Sequence, residues 1–289
     1  MTSPVGSRPI VVGVDADAPA SPALAWAADE AVRRGLPLRL VHAVPPTGRN
    51  VRGFDEGQYR VALHEAGEAA LGEARLAIEE RYSGLDVSVV LADGQPGQVL
   101  CRRAANAEMI VLGSRGLSRL EEILSTYSVT VPVTAQATCP VVVVRETEHT
   151  AQDPLFLVVG VDGSGGSAAA IDHAFDSAER RGAELHAVWV WHAPTILPID
   201  KETALQEIRR QLHAATAGRT ALHPDVRVTH HVVTGHPVEE LAKASEHALA
   251  LIVGRRGHGG FTGLRLGSVP HGLLRRAICP LVTVPAESE

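Results

Sequence analysis

Three short segments of the amino-acid sequence occur twice, in the same order, at offsets of 147, 141 and 140 residues. Matches separated by about half of a 289-residue chain indicate a duplicated domain and not a solenoid repeat. Each copy then serves as a control for the other. A residue present in both copies is expected to serve the fold, and a residue present in one copy points to function or to its loss. The paired segments are 10–15 with 157–162, 109–116 with 250–257, and 139–144 with 279–284.

The composition favours a parallel α/β sheet in each copy. Two domains of common size fit into 289 residues, and each is long enough to bury its own core. Hydrophobic residues make up 45% of the chain but aromatic residues only 3%, so Val, Leu, Ile and Ala must fill the cores. These residues suit buried parallel strands covered by helices with small side chains. The expected domains span residues 1–147 and 154–289, joined by a polar linker at 145–154.

Charge and hydropathy exclude two classes of partner. A net charge of −6 provides no electrostatic footprint for nucleic acid. No apolar run approaches the roughly 20 residues that span a bilayer, and residues 1–8 lack the apolar region of a secretion signal. The three cysteines form no CxxC pair, which is typical of a reducing cytoplasm. Cys139 and Cys279 each precede a Val-rich strand and are expected to be buried, whereas Cys101 is expected to pack on a helix.

Each half alternates β-branched runs with amphipathic helical stretches, as parallel α/β domains do. The first helix is expected to start at Ser21 and end at Gly35, and its counterpart to start at Ser167 and end at Gly182. The predicted strands span 10–15, 38–44, 87–91, 109–113 and 141–145 in the first half, and 156–162, 184–191, 226–233, 251–254 and 281–284 in the second.

Ligands of open parallel sheets bind beyond the carboxyl ends of the strands, where the strand order reverses. Two turns of each half meet at this edge. The turn after the first strand carries Asp15 or Asp162, and the turn after the fourth strand carries Gly113 or Gly254. These turns are the places where a binding site is expected.

The glycine loop of the second copy has the spacing of a phosphate cradle. It reads Gly-Arg-Arg-Gly at 254–257, then nine residues, then Gly267-Ser268. Glycines let backbone N–H groups turn inward, and the helix expected to start at Ser268 adds partial positive charge at its N-terminus. Because the loop follows a hydrophobic strand and precedes a helix, its context fits this interpretation.

The Val-Gly-Val-Asp strand, the G-x2-G-x9-G-[ST] loop and the closing Cys-Pro-Val-Val-Val-Val strand resemble the universal stress proteins of the ATP-binding group. The resemblance covers nearly all of both halves. It implies two tandem Rossmann-like domains, each a five-stranded parallel sheet of order 3-2-1-4-5 with helices on both faces. It also implies ATP or a related adenine nucleotide as ligand, with or without Mg²⁺. Domain pairing through the last strands, within the chain or in a homodimer, is implied as well.

Carried onto this sequence, the resemblance places Asp162 near the ribose and adenine and Val190 against the base. The remaining residues expected to bind the nucleotide in the second half are Gly163, Gly254, Arg255, Gly257, His258, Gly267, Ser268 and Val269. The matching residues of the first half are Asp15, Ala43, Gly113, Ser114, Arg115 and Gly116.

The first copy departs from this pattern in its glycine loop. Counting nine residues on from the loop's last matching glycine reaches Thr126-Tyr127 in place of Gly-Ser. Thr126 brings a Cβ to a position where backbone must approach phosphate, and the ring of Tyr127 is large enough to fill the pocket. Pro132 is expected to interrupt the helix that follows. The hydroxyl of Ser125 or Ser128 lies close in sequence, so both a bound and an empty first site stay open.

Other ligand classes fit the sequence less well. Gly163 begins a run that imitates a dinucleotide fingerprint, but Trp191 and His192 stand where an acidic residue is needed. No Gly-Lys-[Ser/Thr] triplet exists, which disfavours a Walker A loop and fast NTP hydrolysis. The 14 histidines are mostly scattered. His230 and His231 are adjacent on a strand and point to opposite faces, so no metal site is expected.

Basic residues accumulate around the second glycine loop. They either favour a polyphosphate electrostatically or form a solvated face, and the sequence leaves both interpretations open. These residues are Arg255, Arg256, Arg265, Arg275 and Arg276.

These patterns favour a cytoplasmic stress-response regulator that senses ATP, and not an efficient enzyme. Sensing would occur as the loop at 254–268 orders around the triphosphate. One alternative is a slow ATPase or nucleotidyl transferase with Asp162 as its acidic residue, and another is a nucleotide-free dimerisation scaffold. A Gly257→Glu substitution is expected to abolish nucleotide retention and to leave the fold intact.

Overall fold

Two sheet-containing units follow each other along the chain. The computed structural model describes residues 7–46, 55–114, 129–145, 149–192, 200–258 and 265–286. The chain divides into unit 1, Met1–Glu146, and unit 2, Thr147–Glu289. Each unit contains one copy of the sequence repeat.

Unit 1 contains a sheet with the strand order β3-β2-β1-β4-β5. Neighbouring strands pair in parallel throughout. The described strands are β1 (Ile10–Gly13), β2 (Leu38–Val44), β3 (Val87–Asp93), β4 (Met109–Gly113) and β5 (Val141–Val144), and the described helices are α1 (Pro22–Arg34), α2 (Glu56–Arg81), α3 (Pro96–Ala104) and α4 (Thr130–Gln136).

Unit 2 repeats this arrangement with the order β8-β7-β6-β9-β10, again with parallel pairs. The predicted order 3-2-1-4-5 and the α/β class are therefore confirmed in both units. The described strands are β6 (Phe156–Gly160), β7 (Glu184–Trp191), β8 (Val228–Thr234), β9 (Leu251–Gly254) and β10 (Leu281–Val284), and the described helices are α5 (Gly165–Arg181), α6 (Lys201–Leu222), α7 (Pro237–Ala244) and α8 (Ser268–Arg276).

Aliphatic side chains form the cores, as the low aromatic content requires. All four valines of β5 are buried, which is typical of a strand covered on both faces. Helix α1 packs on β1 and β4 through Ala27, Ala28 and Ala31, whose small side chains are fully buried and let the helix approach closely. Cys139 and Cys279 are buried, as predicted, and Cys101 is half-buried in α3.

The first helix of each unit ends at the predicted glycine but starts at a different distance from it. Gly35 and Gly182 adopt the left-handed conformation with φ values of 64° and 58° and end α1 and α5. Ser21 caps α1, as predicted, and its side chain accepts a hydrogen bond from the amide of Leu24. The predicted start of α5 at Ser167 is wrong because Ser164 is the cap. Helix α5 has 17 residues against 13 in α1, so its N-terminus lies one turn closer to the sheet edge.

Two short helices escaped the sequence prediction, and a third is not interrupted as expected. Helices α3 and α7 begin with Pro96 and Pro237, which are compatible with a first helical position. Helix α4 runs through Pro132, so the predicted interruption is wrong. Pro132 lies in the first turn, where the missing N–H would have no partner inside the helix.

Strand ends differ from the predictions by a few residues. Strands β1 and β6 end at Gly13 and Gly160, so the aspartates that follow belong to turns and not to strands. Part of the predicted linker contacts unit 2, since Nε2 of His149 lies 2.7 Å from the carbonyl oxygen of Ala248. No helix in the described ranges combines the length and the apolar character needed to cross a membrane.

Candidate functional site

A cavity of about 350 Å³ opens in unit 2 at the carboxyl ends of β6 and β9. The strand order of the sheet reverses between these two strands. The volume of the cavity falls in the range of small-molecule sites. Apolar side chains and backbone share the lining with a few polar groups. The lining residues are Gly160, Val161, Asp162, Ser167, Val188, Val190, Pro237, Leu241, Val253, Gly254, Arg256, Gly257, His258, Gly267, Ser268, Val269 and Pro270.

Asp162 connects the turn after β6 to the loop after β9. Its Oδ1 accepts a hydrogen bond from the amide of Ser164 at 2.9 Å, and its Oδ2 accepts one from the amide of His258 at 3.0 Å. Burial alone would raise the pKa of Asp162, but hydrogen bonds from Ser164, His258 and Ser167 outweigh burial, and the pKa is lowered. The carboxylate is therefore a charged group that fixes two backbone segments and faces the cavity.

The tight turn after β6 brings the start of α5 to the cavity. Gly163 has a φ of 80°, a conformation that favours glycine. The next residue, Ser164, caps α5 by accepting a hydrogen bond from the amide of Ser167 at 3.1 Å. A Cβ at Gly163 would lie 3.0 Å from the ring of Trp189, so this tryptophan is a neighbour of the turn.

Two glycines allow the backbone after β9 to contact the backbone of α5. A Cβ at Gly254 would lie 2.5 Å from the carbonyl carbon of Gly166, and a Cβ at Gly166 would lie 2.1 Å from the carbonyl oxygen of Arg256. Any side chain at either position would separate the helix from the loop. The glycines at these positions therefore serve packing as well as the shape of the cavity.

Gly257 faces a side chain and not backbone, and this contact changes the expected outcome of its substitution. A Cβ at Gly257 would lie 2.1 Å from Oδ2 of Asp162, so any side chain displaces the carboxylate that holds the loop. Gly257→Glu is therefore expected to disturb the hydrogen bond between Asp162 and the His258 amide as well as nucleotide retention. Substitutions of cavity-lining side chains provide a cleaner test of binding.

The far end of the glycine loop is fixed by backbone hydrogen bonds. The amide of Arg255 donates to the carbonyl of Val284 at 2.7 Å, and its own carbonyl accepts from the amide of Gly267 at 2.9 Å. Gly267 is the N-cap of α8 and Ser268 is its first residue, as predicted. Both line the cavity, so the N-terminus of α8 with its partial positive charge lies at the cavity wall.

Most of the predicted residues of the second half lie together around this cavity. Gly163 shapes the adjoining turn without lining the cavity, and Arg255 does not line it either, although its carbonyl accepts a hydrogen bond from the cavity-lining Gly267. The prediction missed Pro237 and Leu241 because helix α7 was not anticipated, and it missed Ser167 because α5 begins earlier than expected. The predicted residues that line the cavity are Asp162, Val190, Gly254, Gly257, His258, Gly267, Ser268 and Val269.

The described part of the equivalent edge in unit 1 is built differently. Oδ1 of Asp15 accepts a hydrogen bond from the amide of Asp17 at 3.0 Å, and the turn continues as a loop up to Ser21. A Cβ at Gly113 would lie 3.9 Å from the Cβ of Ala23, so the helix is farther from the end of β4 than its counterpart in unit 2.

The remaining predicted residues of unit 1 have mixed positions. Ala43 is buried in β2. The amide of Ser114 donates to the carbonyl of Val144 at 2.9 Å, as the amide of Arg255 donates to Val284, so these two residues are equivalent. Arg115 and Gly116 lie outside the described residues.

The helices that follow the two glycine loops show that the alignment of the two copies must shift by one residue in this region. Both end before an alanine cap, Ala137 in α4 and Ala277 in α8, at an offset of 140 residues. The buried positions of the two helices agree with this offset. Applied to the printed sequence, it pairs Tyr127 with Gly267 and Ser128 with Ser268, so the count that ended at Thr126-Tyr127 is one residue short. Thr126, Tyr127 and Ser128 lie outside the described residues.

Contacts between the helices support the same register. Pro132 of α4 would be met at 3.5 Å by a Cβ on Gly97 of α3. In unit 2 the glycine lies on the other helix of the pair. A Cβ on Gly272 of α8 would lie 2.7 Å from a methyl of Val238 in α7. Pro132 and Gly272 are thus equivalent, again at an offset of 140 residues.

The histidines of unit 2 occupy separate surfaces of the sheet. Nε2 of His230 lies 2.7 Å from Oγ1 of Thr216, and its ring is next to that of His213. His231 lies on the other face beside His186, whose ring stacks on Phe156. Burial lowers the pKa values of His186 and His230. No group of three or more His, Cys, Asp or Glu side chains suited to a metal ion occurs among the described residues.

Comparison with known proteins agrees with this architecture over almost the whole chain. The model of the universal stress protein family matches residues 6–145 and 157–285. A universal stress protein of Mycolicibacterium smegmatis is 34% identical over 291 residues, which cover 95% of this chain and 96% of that protein. A second, from Mycobacterium bovis, is 33% identical over 300 residues and 98% of both chains.

A solved structure shows the same fold. The crystal structure of a universal stress protein from Archaeoglobus fulgidus DSM 4304 aligns with a TM-score of 0.71 and 22% identity over 96% of both chains. With two matches to the family model and relatives of full length, the chain is a tandem-domain member of the universal stress protein family.

Proposed function

We propose that unit 2 binds an adenine nucleotide, with ATP as the main ligand, and that the chain is a nucleotide-dependent regulator of the stress-response class. The observation that carries this proposal is the cavity at the ends of β6 and β9, which combines an apolar wall with backbone amides at a helix N-terminus. One half of such a cavity suits a flat base and the other half suits phosphates.

The lining suggests how the nucleotide lies. The base packs against Val188, Val190 and Leu241, whose side chains form the apolar wall. The Asp162 carboxylate keeps acceptor capacity beyond its two backbone hydrogen bonds, so it can accept hydrogen bonds from ribose hydroxyls. The phosphates then lie along residues 254–257 and the N-terminus of α8, where Ser268 adds a hydroxyl donor.

A regulatory role is favoured over catalysis by the state of the acidic residue. The hydrogen bonds that lower the pKa of Asp162 also make the carboxylate a weak base at neutral pH. The same hydrogen bonds link the loop after β9 to the turn before α5. A ligand that contacts Asp162 and the loop together can therefore change the surface around them. A cytoplasmic location stays a prediction from the cysteine pattern, and pairing through the last strands stays a prediction from the family resemblance.

Native mass spectrometry of freshly purified protein tests this proposal. We expect retained ATP, or uptake of added ATP. Retained ADP together with turnover of added ATP would instead favour the slow enzyme, and failure to take up any adenine nucleotide would favour the scaffold.

A matched pair of variants locates the site. Val190→Phe puts a ring into the apolar wall and is expected to abolish retention. Trp191→Phe changes the next residue of β7, which does not line the cavity, and is expected to retain ATP. Equal retention by both variants would place the nucleotide elsewhere.

A further inference from the structure

Three arginines of unit 2 form a cluster at the phosphate end of the proposed site. Arg256 lines the cavity. Arg255 precedes it in the chain, and its backbone is hydrogen-bonded to Val284 and to the cavity-lining Gly267. Arg265 precedes the N-cap of α8 by two residues and is exposed. We call Arg255, Arg256 and Arg265 the arginine cluster.

The cluster brings like charges together in a region of the chain that has no acidic residues. The sequence contains no Asp or Glu from residue 247 to residue 286. Burial, followed by the charges of Arg256 and Arg265, lowers the pKa of the half-buried Arg255. The three positive charges repel one another in the folded protein, the Asp162 carboxylate in the same cavity offsets part of this repulsion, and a polyanion in the cavity relieves more of it.

Unit 1 provides an internal comparison, because its loop has a different charge pattern. Ser114 holds the backbone position of Arg255, as the shared hydrogen bond to the last strand shows. At the offset of 140 residues, Ser125 stands where unit 2 has Arg265. The loop at 114–128 also carries Glu121 and Glu122, which balance its two arginines, whereas the loop at 255–268 has three arginines and no acidic residue. Arg255 and Arg265 are thus specific to unit 2.

Backbone amides and a helix N-terminus bind one phosphate well but contribute little to discriminating between ligands with one, two or three phosphates. Fully charged arginine side chains discriminate between such ligands, because their attraction increases with each negative charge on the ligand. Arg256 can contact the phosphates directly, while Arg255 and Arg265 act over a longer distance through the field of the cluster.

We propose that the arginine cluster makes the unit 2 site select nucleotides by phosphate number, so that ATP binds more tightly than ADP, and ADP more tightly than AMP or a cyclic monophosphate. This inference rests on the proposed function, because it concerns the ligand of the same cavity. It identifies Arg255 and Arg265 as specificity-determining residues outside the glycine motif.

Isothermal titration of the full chain with ATP, ADP and AMP tests the selection. Arg255→Ser and Arg265→Ser install the residues that the first copy carries at these positions. We expect each variant to weaken ATP binding about fivefold and to leave AMP binding nearly unchanged, as loss of one charge at partly screened distances implies. The preference for ATP over AMP is expected to shrink in the same way when ionic strength is raised.

Arg275→Ser is the matched control. Arg275 is exposed and lies in the last turn of α8, at the opposite end of the helix from the cavity. The substitution therefore removes the same charge at a distance from the site. We expect its ATP affinity to equal that of the unsubstituted chain. A loss as large as that of the cluster variants would show that net charge, and not the cluster, matters.

The outcomes separate this inference from the proposed function. Equal affinities for ATP and AMP, or a preference unchanged by both cluster variants, would overturn the selection by phosphate number while leaving nucleotide binding intact. Absence of binding by every nucleotide would overturn the proposed function itself. A preference for ATP that only the cluster variants reduce would support the inference.

Discussion

At the scale of single residues, Asp162 connects fold and site most directly. Its two carboxylate oxygens accept backbone hydrogen bonds from Ser164 and His258, which belong to different connections of the sheet. Sequence comparison of the two copies identified Asp162 as a residue present in both. It could not reveal the partner amides, because His258 is 96 positions away in the chain.

Asp162→Asn is expected to lower the free energy of unfolding of unit 2 by about 1 kcal/mol at pH 7, since the amide accepts these hydrogen bonds less strongly and the side chain is partly exposed. A lowered pKa stabilises the fold above the ordinary value of 3.8, and this contribution is lost as the pH falls below it. Urea unfolding at pH 7 and pH 3, followed by fluorescence in a Trp26→Phe background, measures the difference. Exposed Glu246→Gln is the control, and a deficit at pH 3 as large as the deficit at pH 7 would contradict the role of the charge.

The buried Glu30 in α1 gives a second expectation, on the stability of unit 1. Glu30 is 1% exposed, and its Oε1 accepts a hydrogen bond from Nε of Arg34 at 2.5 Å. Glu30→Ala leaves the nearly buried guanidinium of Arg34 with the more distant Glu108 at 3.7 Å, and is expected to cost about 3 kcal/mol. Replacing both residues, as Glu30→Leu with Arg34→Met, is expected to restore most of the loss. Thermal unfolding of the three proteins measures it, and equal losses in the single and double variants would refute the explanation.

At the scale of elements, the start of α5 distinguishes the two copies. The α5 backbone lies against the loop after β9 because Gly166 and Gly254 have no side chains. In unit 1 the corresponding helix starts one turn later, and Gly113 has room for a Cβ. The same motif glycine thus serves close packing in one copy and not in the other.

Gly254→Ala and Gly113→Ala are therefore expected to differ although the motif positions are equivalent. In unit 2 the new methyl would overlap the backbone of Gly166, and overpacking of this kind costs about 2 kcal/mol. In unit 1 the methyl would make an ordinary contact with Ala23, and stability is expected to change little. Melting temperatures of both variants provide the measurement. Similar losses in both would show that the close approach in unit 2 is not what the glycine permits.

The elements that the sequence predicted well are those with a long and regular pattern. Strands Leu38–Val44 and Glu184–Trp191, with seven and eight residues, have buried aliphatic side chains and matched their predicted bounds. Helix α5 was predicted to start too late because Gly165 and Gly166 are poor helix formers. A glycine is needed at position 166 because the helix contacts the backbone of Arg256 there. Helices α3 and α7 have only 9 and 8 residues, too few for a clear period.

At the scale of the whole molecule, the two copies share one fold but differ in the residues at the carboxyl ends of their strands. The glycine motif predicted the loop side of the unit 2 cavity because its residues are close in sequence and follow one strand. Contributions from Pro237 and Leu241 could not be predicted in this way, because α7 reaches the cavity only through the packing of the sheet. The charge difference between the loops was visible in the sequence, but its position relative to the cavity was not.

We expect the chain to bind one nucleotide and not two. Unit 1 has Ser114 in place of Arg255, a longer turn after Asp15 and, at the corrected register, Tyr127 in place of Gly267. Each change weakens the attraction or narrows the space for phosphates. Native mass spectrometry at saturating ATP should show a single adduct per chain, and Val190→Phe should remove it. Two adducts, or one that survives this substitution, would place a nucleotide in unit 1.

The 96-residue separation between Asp162 and His258 also constrains when the site can form during synthesis. A nascent chain that still lacks β9 has the first turn of α5 but no loop amide for the carboxylate to hold. Because the first residues of α8 line the cavity and Val284 of β10 accepts the hydrogen bond from the Arg255 amide, the cradle is assembled only after β10 has been synthesised. Nucleotide capture would then distinguish chains that include β10 from chains that stop before it, and ATP would protect only the former from proteolysis.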